Sequence, residues 1–431
     1  MTAASTTTAA ARGQSLARPW TIAILLALFM YINFADKAVI GLAAVPMMRD
    51  LGLSPAQWGV VGSSFFGLFS ISALVVGACV DRIPTKWALV AMGLLWAVTQ
   101  LPMIWTVSLP ALIACRVMLG AGEGPAYPVA IHAVYKWFPD DRRTLPTSII
   151  AIGAAVGVFT IAPVLVFLIQ MFDWHWAFGF LGLLGLAWVA AWIVWGAEGT
   201  VAVASEGGAP DAAPRVPYRA LFASPTVIGI LVVSAAVYWG LALLVAWVPA
   251  FLEQGLGYGP VATTALVSLT WGGVAVLMPL IGYLSQRAKL AGRSSRGARA
   301  VPASLLAAIG GASLVAALSL RPGAVQIGLL AAGYAVGGAI YTLGPAIIGE
   351  ITPAAQRGTM LGAITAIYTL AGLAGPAVTG RIIGAAASTH AGYIDAFLLS
   401  DAIIIAGGIV GFWLIRPERD AKRLMAASSG G

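Results

Sequence analysis

The chain has 431 residues, of which 60% are hydrophobic and only 9% charged, and its mean hydropathy is +0.92. A soluble domain carries about 25% charged residues, so the composition excludes a soluble globular protein and predicts an all-α polytopic membrane protein. The formal charge of +8 does not point to a nucleic-acid partner, because the basic residues fall where membrane topology puts them.

The first 19 residues are polar and small, and read as a disordered tail. The apolar run from Trp20 to Pro46 is too long for a signal-peptide core and is taken as a spanning helix. A membrane helix needs about 20 mostly apolar residues. By that measure the next spans lie at 58–80, 87–109, 112–136, 145–170 and 175–197. A polar linker at 198–224 leads to spans at 225–252, 261–286, 302–320, 325–349, 358–386 and 392–415. The expected organisation is thus twelve helices in two bundles, 20–197 and 225–416, with a tail at 417–431. Nothing alternates with the period of two that a membrane barrel requires. With both termini cytoplasmic, only Arg49, Arg321 and Arg381 of the 24 basic residues fall in outer loops, and only Lys37 and Arg116 lie within the membrane.

Charges at membrane depth are costly, so they mark functional candidates. The first span holds Asp36 and Lys37 side by side, and the fourth holds Arg116 and Glu123. At about 100° per residue, the seven-residue spacing puts Arg116 and Glu123 on one helix face, which Tyr127 also shares. Gly120, Gly122 and Gly124 keep the backbone thin there, a device that lets a ligand approach. Asn33 sits one turn before Lys37, whereas Asp36 points about 100° away, toward a neighbouring helix. Two acids and two bases permit a neutral buried network. One reading is a structural salt-bridge cluster. The other is ion-coupled transport of an anion, with Asp36 and Glu123 exchanging protons and Lys37 or Arg116 supplying the counter-charge.

Cys79 and Cys115 lie in apolar runs and read as buried hydrophobes. No metal-ligand spacing and no nucleophile–base constellation stands out, so no cofactor other than protons, and no enzymatic chemistry, is expected. Gly153 with Gly157, Gly333 with Gly337 and Gly358 with Gly362 have the spacing that lets membrane helices approach closely. Pro163, Pro279 and Pro376 lie within spans. Tyr238 and Trp247 in the seventh span, and Tyr341 in the tenth, are candidates to line a cavity or to pack between helices. His132 faces away from Glu123, His175 and His390 lie at the outer boundary, and Asp401 falls inside the last span with no evident partner.

The segment GACVDRIPTKW after the second span is echoed by GYLSQRAKLAG after the eighth, as two related six-helix halves would leave in sequence. This signature resembles that of the major facilitator superfamily. The resemblance implies that fold, with Asp81 and Arg82 as a conformational latch. The DK pair at 36–37, RDLGLSPAQWG, RVMLGAGEGPAYP and KWFPDDRR together resemble the anion:cation symporters. That resemblance implies uptake of a small organic anion, chiefly a carboxylate, with protons, across a bacterial-type inner membrane and with no obligatory protein partner. It further implies that Asp36 and Glu123 exchange protons, that Arg116 couples to Asp36, and that the cation beside Asp36 meets the substrate.

The chain departs from the family pattern at several points. Lys37 stands where arginine is usual, Phe69 and Ala73 replace a Tyr and a Gln, and Thr369 replaces an Asn. A lysine lacks the two-pronged fork of arginine, and fewer polar groups suit a substrate less hydroxylated than a sugar acid. The drug/proton antiporters carry a Gly-Pro-x-x-Gly-Gly element in the fifth span; Ala162 and Pro163 are followed here by no such glycines. An efflux antiporter or a non-transporting sensor is the alternative. Expected substrate contacts are Lys37, Asn33, Tyr127, Tyr238 and Thr369.

Overall fold

The computed structural model describes residues 17–79, 83–105, 107–139, 142–199, 216–353 and 356–428, and every regular element among them is helical. The first half runs α1 (Ala17–Leu42), α2 (Ala44–Asp50), α3 (Pro55–Cys79), α4 (Thr85–Gln100), α5 (Leu109–Glu123), α6 (Ala126–Tyr135), α7 (Thr144–Met171) and α8 (Trp174–Trp195). After the linker come α9 (Tyr218–Phe222), α10 (Pro225–Ala246), α11 (Val248–Ala250), α12 (Pro260–Leu290), α13 (Val301–Leu318) and α14 (Ala324–Gly337). The chain then continues through α15 (Ala339–Ile351), α16 (Arg357–Thr369), α17 (Ala371–Ala385), α18 (Thr389–Leu414) and α19 (Pro417–Ser428). Among the described residues, eleven stretches are long and apolar enough to cross a bilayer, with α14–α15 and α16–α17 each forming one stretch.

The expected fourth span is present in two pieces. Gly124 and Pro125 interrupt it immediately after Glu123, between α5 and α6. Pro125 has no N–H to donate, so the ladder fails there, and a broken helix at membrane depth is tolerated where it is buried in protein or lines a cavity. Two further segments differ from expectation. The linker contains the short helix α9, and the C-terminal tail forms α19 up to Ser428. Helix α19 is tied down because Asp420 accepts from Thr226 N at 2.9 Å, Thr226 Oγ1 at 2.7 Å and Ser224 Oγ at 3.1 Å. The expected latch residues Asp81 and Arg82 lie outside the described residues.

Small residues set the helix spacing. A Cβ on Gly153 or Gly157 would stand 2.4 or 2.7 Å from the carbonyl oxygens of Ala27 and Tyr31, so α7 packs on α1 through these glycines as their spacing predicts. Gly333 is likewise packed on Gly310, whereas Gly362 has open space around it.

At the end where α1 finishes, the two halves are pressed together. A Cβ on Gly59 would lie 2.5 Å from Pro376 O, and one on Gly380 would lie 2.3 Å from Pro55 O. Trp58 Nε1 donates to Ala246 O at 3.1 Å, and Ala377 N to Ser63 Oγ at 2.9 Å, both across the halves. Trp247, a candidate cavity-lining residue, is instead fully buried in this closure and donates to Pro376 O at 3.1 Å. At the other end, acids tie helices within each half. Glu198 accepts from Lys86 N at 2.6 Å and Lys136 Nζ at 3.0 Å, and Glu350 pairs with Arg299 at 2.6 Å and Lys289 at 3.4 Å.

Candidate functional site

The intramembrane charges converge where α1 meets α5. Helical spacing puts Asn33 under Lys37, and Lys37 Nζ donates to Asn33 Oδ1 at 2.6 Å and to Asn33 O at 3.3 Å. The same nitrogen lies 2.5 Å from Glu123 Oε2. This contact is an ion pair off the ideal hydrogen-bond direction, and neither Glu123 oxygen has a well-aligned donor. An ammonium group has three protons, and three acceptors surround it, so Lys37 is fully engaged in this arrangement. Its side chain is 14% exposed while that of Glu123 is completely buried, so Lys37 is the member of the pair that a ligand can reach.

Aromatic rings enclose the cations. Lys37 Nζ lies 4.7 Å from the centre of Phe34 and 5.7 Å from those of Phe65 and Phe69. Arg116 stacks over Phe65 at 4.8 Å. Its Nε and Nη1 have no hydrogen-bond partner among the described residues, and it forms no ion pair with Asp36 there. Asp36 lies beside Gln100 of α4, without a hydrogen bond from Gln100 Nε2. All of Asn33, Asp36, Gln100, Arg116 and Glu123 are buried.

The thin backbone at Gly120, Gly122 and Gly124 serves the protein's own helices and not a ligand. A Cβ on Gly120 would meet Phe65 O at 1.8 Å, one on Gly124 would meet Phe69 O at 2.1 Å, and one on Gly122 would meet Trp96 Nε1 at 3.0 Å. These close contacts press α5 against α3 and α4 and seal the charges inside the bundle. Tyr127 lies beyond the Gly124–Pro125 break and is 44% exposed. It is thus exposed where Arg116 and Glu123 are buried.

The second half closes the site with aromatic and hydroxyl groups. Trp271 of α12 meets Phe34 edge-on at 5.3 Å. Tyr238 of α10 contacts Phe66 at 5.7 Å and Tyr368 at 5.5 Å, and Tyr341 joins Tyr368 at 5.6 Å. Ser70 and Thr369 share a hydrogen bond of 2.5 Å across the halves, and Tyr341 donates to Ser234 O at 3.2 Å. A small cleft beside Lys37 is otherwise walled by apolar side chains, among them Phe34, Leu42, Val245, Val267 and Trp271. Sequence reasoning missed Gln100, Trp96, Ser70 and Tyr368, because none stands out as an isolated charge. The only available signal was a lone amide at the end of an apolar span.

Asp401 lies on α18, is 1% exposed, and has an Oδ1 without a partner among the described residues. Its backbone oxygen faces Gly311 of α13, which places it among helices of the second half and not with the four-charge cluster. His390 Nδ1 lies 2.6 Å from Gly255 O, and His175 stacks on Trp174 at 3.6 Å.

Known proteins share this architecture. A rice (Oryza sativa subsp. japonica) protein named "Probable anion transporter 4, chloroplastic" is 26% identical over 63% of the chain. That match spans 48% of the rice protein's own length. The hexuronate transporter of Bacillus subtilis (strain 168) is 24% identical over 91% of this chain and 94% of its own. Both agree with the resemblance to anion:cation symporters. In fold, the chain matches a bacterial homologue of the human lysosomal transporter Spinster, solved inward-facing and occupied. The TM-score is 0.70 at 17% identity, covering 97% of this chain and 98% of that one. Residues 24–376 match the sequence profile of the Major Facilitator Superfamily. The chain belongs to the Major Facilitator Superfamily, as a multi-pass membrane protein with that superfamily's fold.

Proposed function

We propose that this protein is a secondary transporter of a bacterial-type inner membrane that takes up a small organic anion, a carboxylate, together with protons. The observation that carries the reading is the contact between Lys37 and Glu123. A partly reachable cation is held by a completely buried acid, inside an aromatic-walled site where the two halves meet. Protonation of Glu123 releases Lys37, and a substrate carboxylate takes the vacated place on the amine. Neutralised in this way, the cluster lets the halves rock about the site, and loss of the proton on the far side of the cycle restores the pair and expels the anion. Asp36 serves as the second proton-exchanging acid, with Arg116 holding opposite charge near both acids. The described arrangement, tightly shut at the end where α1 finishes, is one of the two end states such a cycle needs.

The apolar side chains around Lys37 and the mutual bond between Ser70 and Thr369 favour a poorly hydroxylated substrate, such as an aromatic or short monocarboxylate. A sugar acid needs free polar partners for each hydroxyl, and here Ser70, Thr369 and Tyr341 are already engaged.

Reconstituted proteoliposomes test the reading. Addition of benzoate or galacturonate outside should drive proton entry in the wild type and not in Glu123→Gln or Asp36→Asn. Normal coupling in both variants rejects the mechanism, and substrate-driven proton exit favours an efflux antiporter. Stronger uptake of galacturonate than of benzoate overturns the substrate class alone.

A further inference from the structure

Behind the Lys37–Glu123 pair, α1, α4 and α5 enclose buried polar atoms that have no hydrogen-bond partner among the described residues. Asn33 Nδ2, Trp96 Nε1, Gln100 Nε2, Arg116 Nε and Arg116 Nη1 are donors without acceptors, and Asp36 Oδ1 and Glu123 Oε1 are acceptors without donors. Their residues are between 1% and 4% exposed. Leaving so many buried groups unsatisfied is costly against the marginal stability of a protein. A buried water typically makes two to four such bonds.

These atoms are placed together by the helices. Trp96 and Gln100 are four residues apart and share one face of α4. Trp96 stacks on Phe29 of α1 at 4.3 Å, and its Nε1 lies against Gly122, the residue before Glu123. Gln100, one turn further along, lies beside Asp36, with its Nε2 outside hydrogen-bond geometry to the carboxylate. The α4 face therefore reaches from the neighbourhood of Glu123 to Asp36. The charged groups around Asp36 are Lys37 on its own helix and Arg116 and Glu123 on α5. Helix α4 adds only Gln100 and Trp96, and α3 presents the rings of Phe65 and Phe69 to the cations.

We propose that Gln100 and Trp96 line a buried hydrated path on the α4 side of the cluster through which Asp36 and Glu123 exchange a proton, with Gln100 as the positioning residue for Asp36. One proton leaves a carboxyl oxygen of one acid, is relayed by water held on Trp96 Nε1 and Gln100 Nε2, and arrives at the carboxylate of the other. No other species is consumed. The proposal deepens the proton-coupled reading and rests on it for its place in the transport cycle.

Infrared difference spectroscopy on the full chain in nanodiscs, titrated over pH without substrate, tests it independently of transport. The carboxylic C=O band that Asp36→Asn removes reports Asp36, and bands that shift in water-18O report bound water. Gln100→Met keeps the volume of the side chain, and Trp96→Phe keeps the stacking on Phe29. In Gln100→Met, the Asp36 band should move its midpoint by about one pH unit or more, and in both variants the isotope-sensitive water bands should weaken or vanish. A thermal midpoint close to that of the wild type separates this from misfolding. The same midpoint and the same water bands in both variants overturn the proposal, as does a wild type with no isotope-sensitive band. If these spectra behave as expected while substrate moves no protons, the symport reading fails and the path stands.

Discussion

Lys37 and Glu123 hold each other before any substrate arrives, with Nζ 2.5 Å from Oε2 and the remaining amine protons directed at Asn33. Removing one partner of a buried pair leaves an uncompensated charge, which costs about 3–5 kcal/mol. Lys37→Gln should therefore destabilise the protein by about that amount, and adding Glu123→Gln should recover most of the loss. Thermal unfolding of the two single variants and the double variant measures the coupling, and additive losses would exclude a direct pair.

Lys37→Arg probes the function of the same contact. A guanidinium fork can keep Glu123 and accept a carboxylate at once, so substrate binding should depend less on pH than in the wild type. Binding of benzoate followed by calorimetry between pH 5 and 8 reads this out; an unchanged pH dependence would show that Glu123 does not compete with substrate for the cation.

Gly120 and Gly362 should respond oppositely to alanine. At Gly120 the new Cβ would sit 1.8 Å from Phe65 O, a backbone atom that cannot yield. Overpacking of this kind costs about 1–3 kcal/mol or more. At Gly362 nothing lies within 4 Å, and replacing a helical glycine by alanine stabilises by about 0.5–1 kcal/mol. Thermal midpoints of the two variants in detergent settle whether α5 is wedged against α3 as described.

Trp58→Phe should loosen the shut end. It deletes the bond from Nε1 to Ala246 O while keeping most of the ring, a loss of about 1 kcal/mol, or roughly a fivefold shift in a two-state equilibrium. A cysteine placed at Leu42, which is 6% exposed, should label correspondingly faster with a membrane-impermeant reagent. Equal labelling rates would mean that this bond does not bias the closure.

Glu198 lies beyond α8, outside the membrane-spanning stretches. Partial burial works to raise its pKa, but bonds from Lys86 N, Lys136 and Thr85 outweigh it and hold the carboxyl below its ordinary value of 4.5. A group depressed in the folded state contributes stability above its unfolded pKa and loses it as pH falls through the lower folded value. The stability gap between wild type and Glu198→Gln should therefore be about 1 kcal/mol near pH 7, shrinking below pH 4.5. A gap that stays constant down to pH 3 would remove Glu198 from the acid response.

Membrane class, the long apolar spans and the four intramembrane charges are all readable along the chain, because bilayer thickness and the cost of buried charge act on each segment separately. The pairing of Asn33 with Lys37 is legible for the same reason, being set by the helical repeat alone. Other features depend on neighbours distant in sequence. Only the packed helices decide that Lys37 pairs with Glu123, that Gln100 lies beside Asp36, and that Trp247 seals the closure. The interruption at Gly124–Pro125 is a local feature, read from the proline's missing N–H, whereas the exposure of Tyr127 beyond it depends on the neighbouring helices. Which charges enter the membrane is thus readable along the chain, whereas their partners follow from close helix contacts that glycines make between residues distant in sequence, such as Gly120 against Phe65 and Gly59 against Pro376.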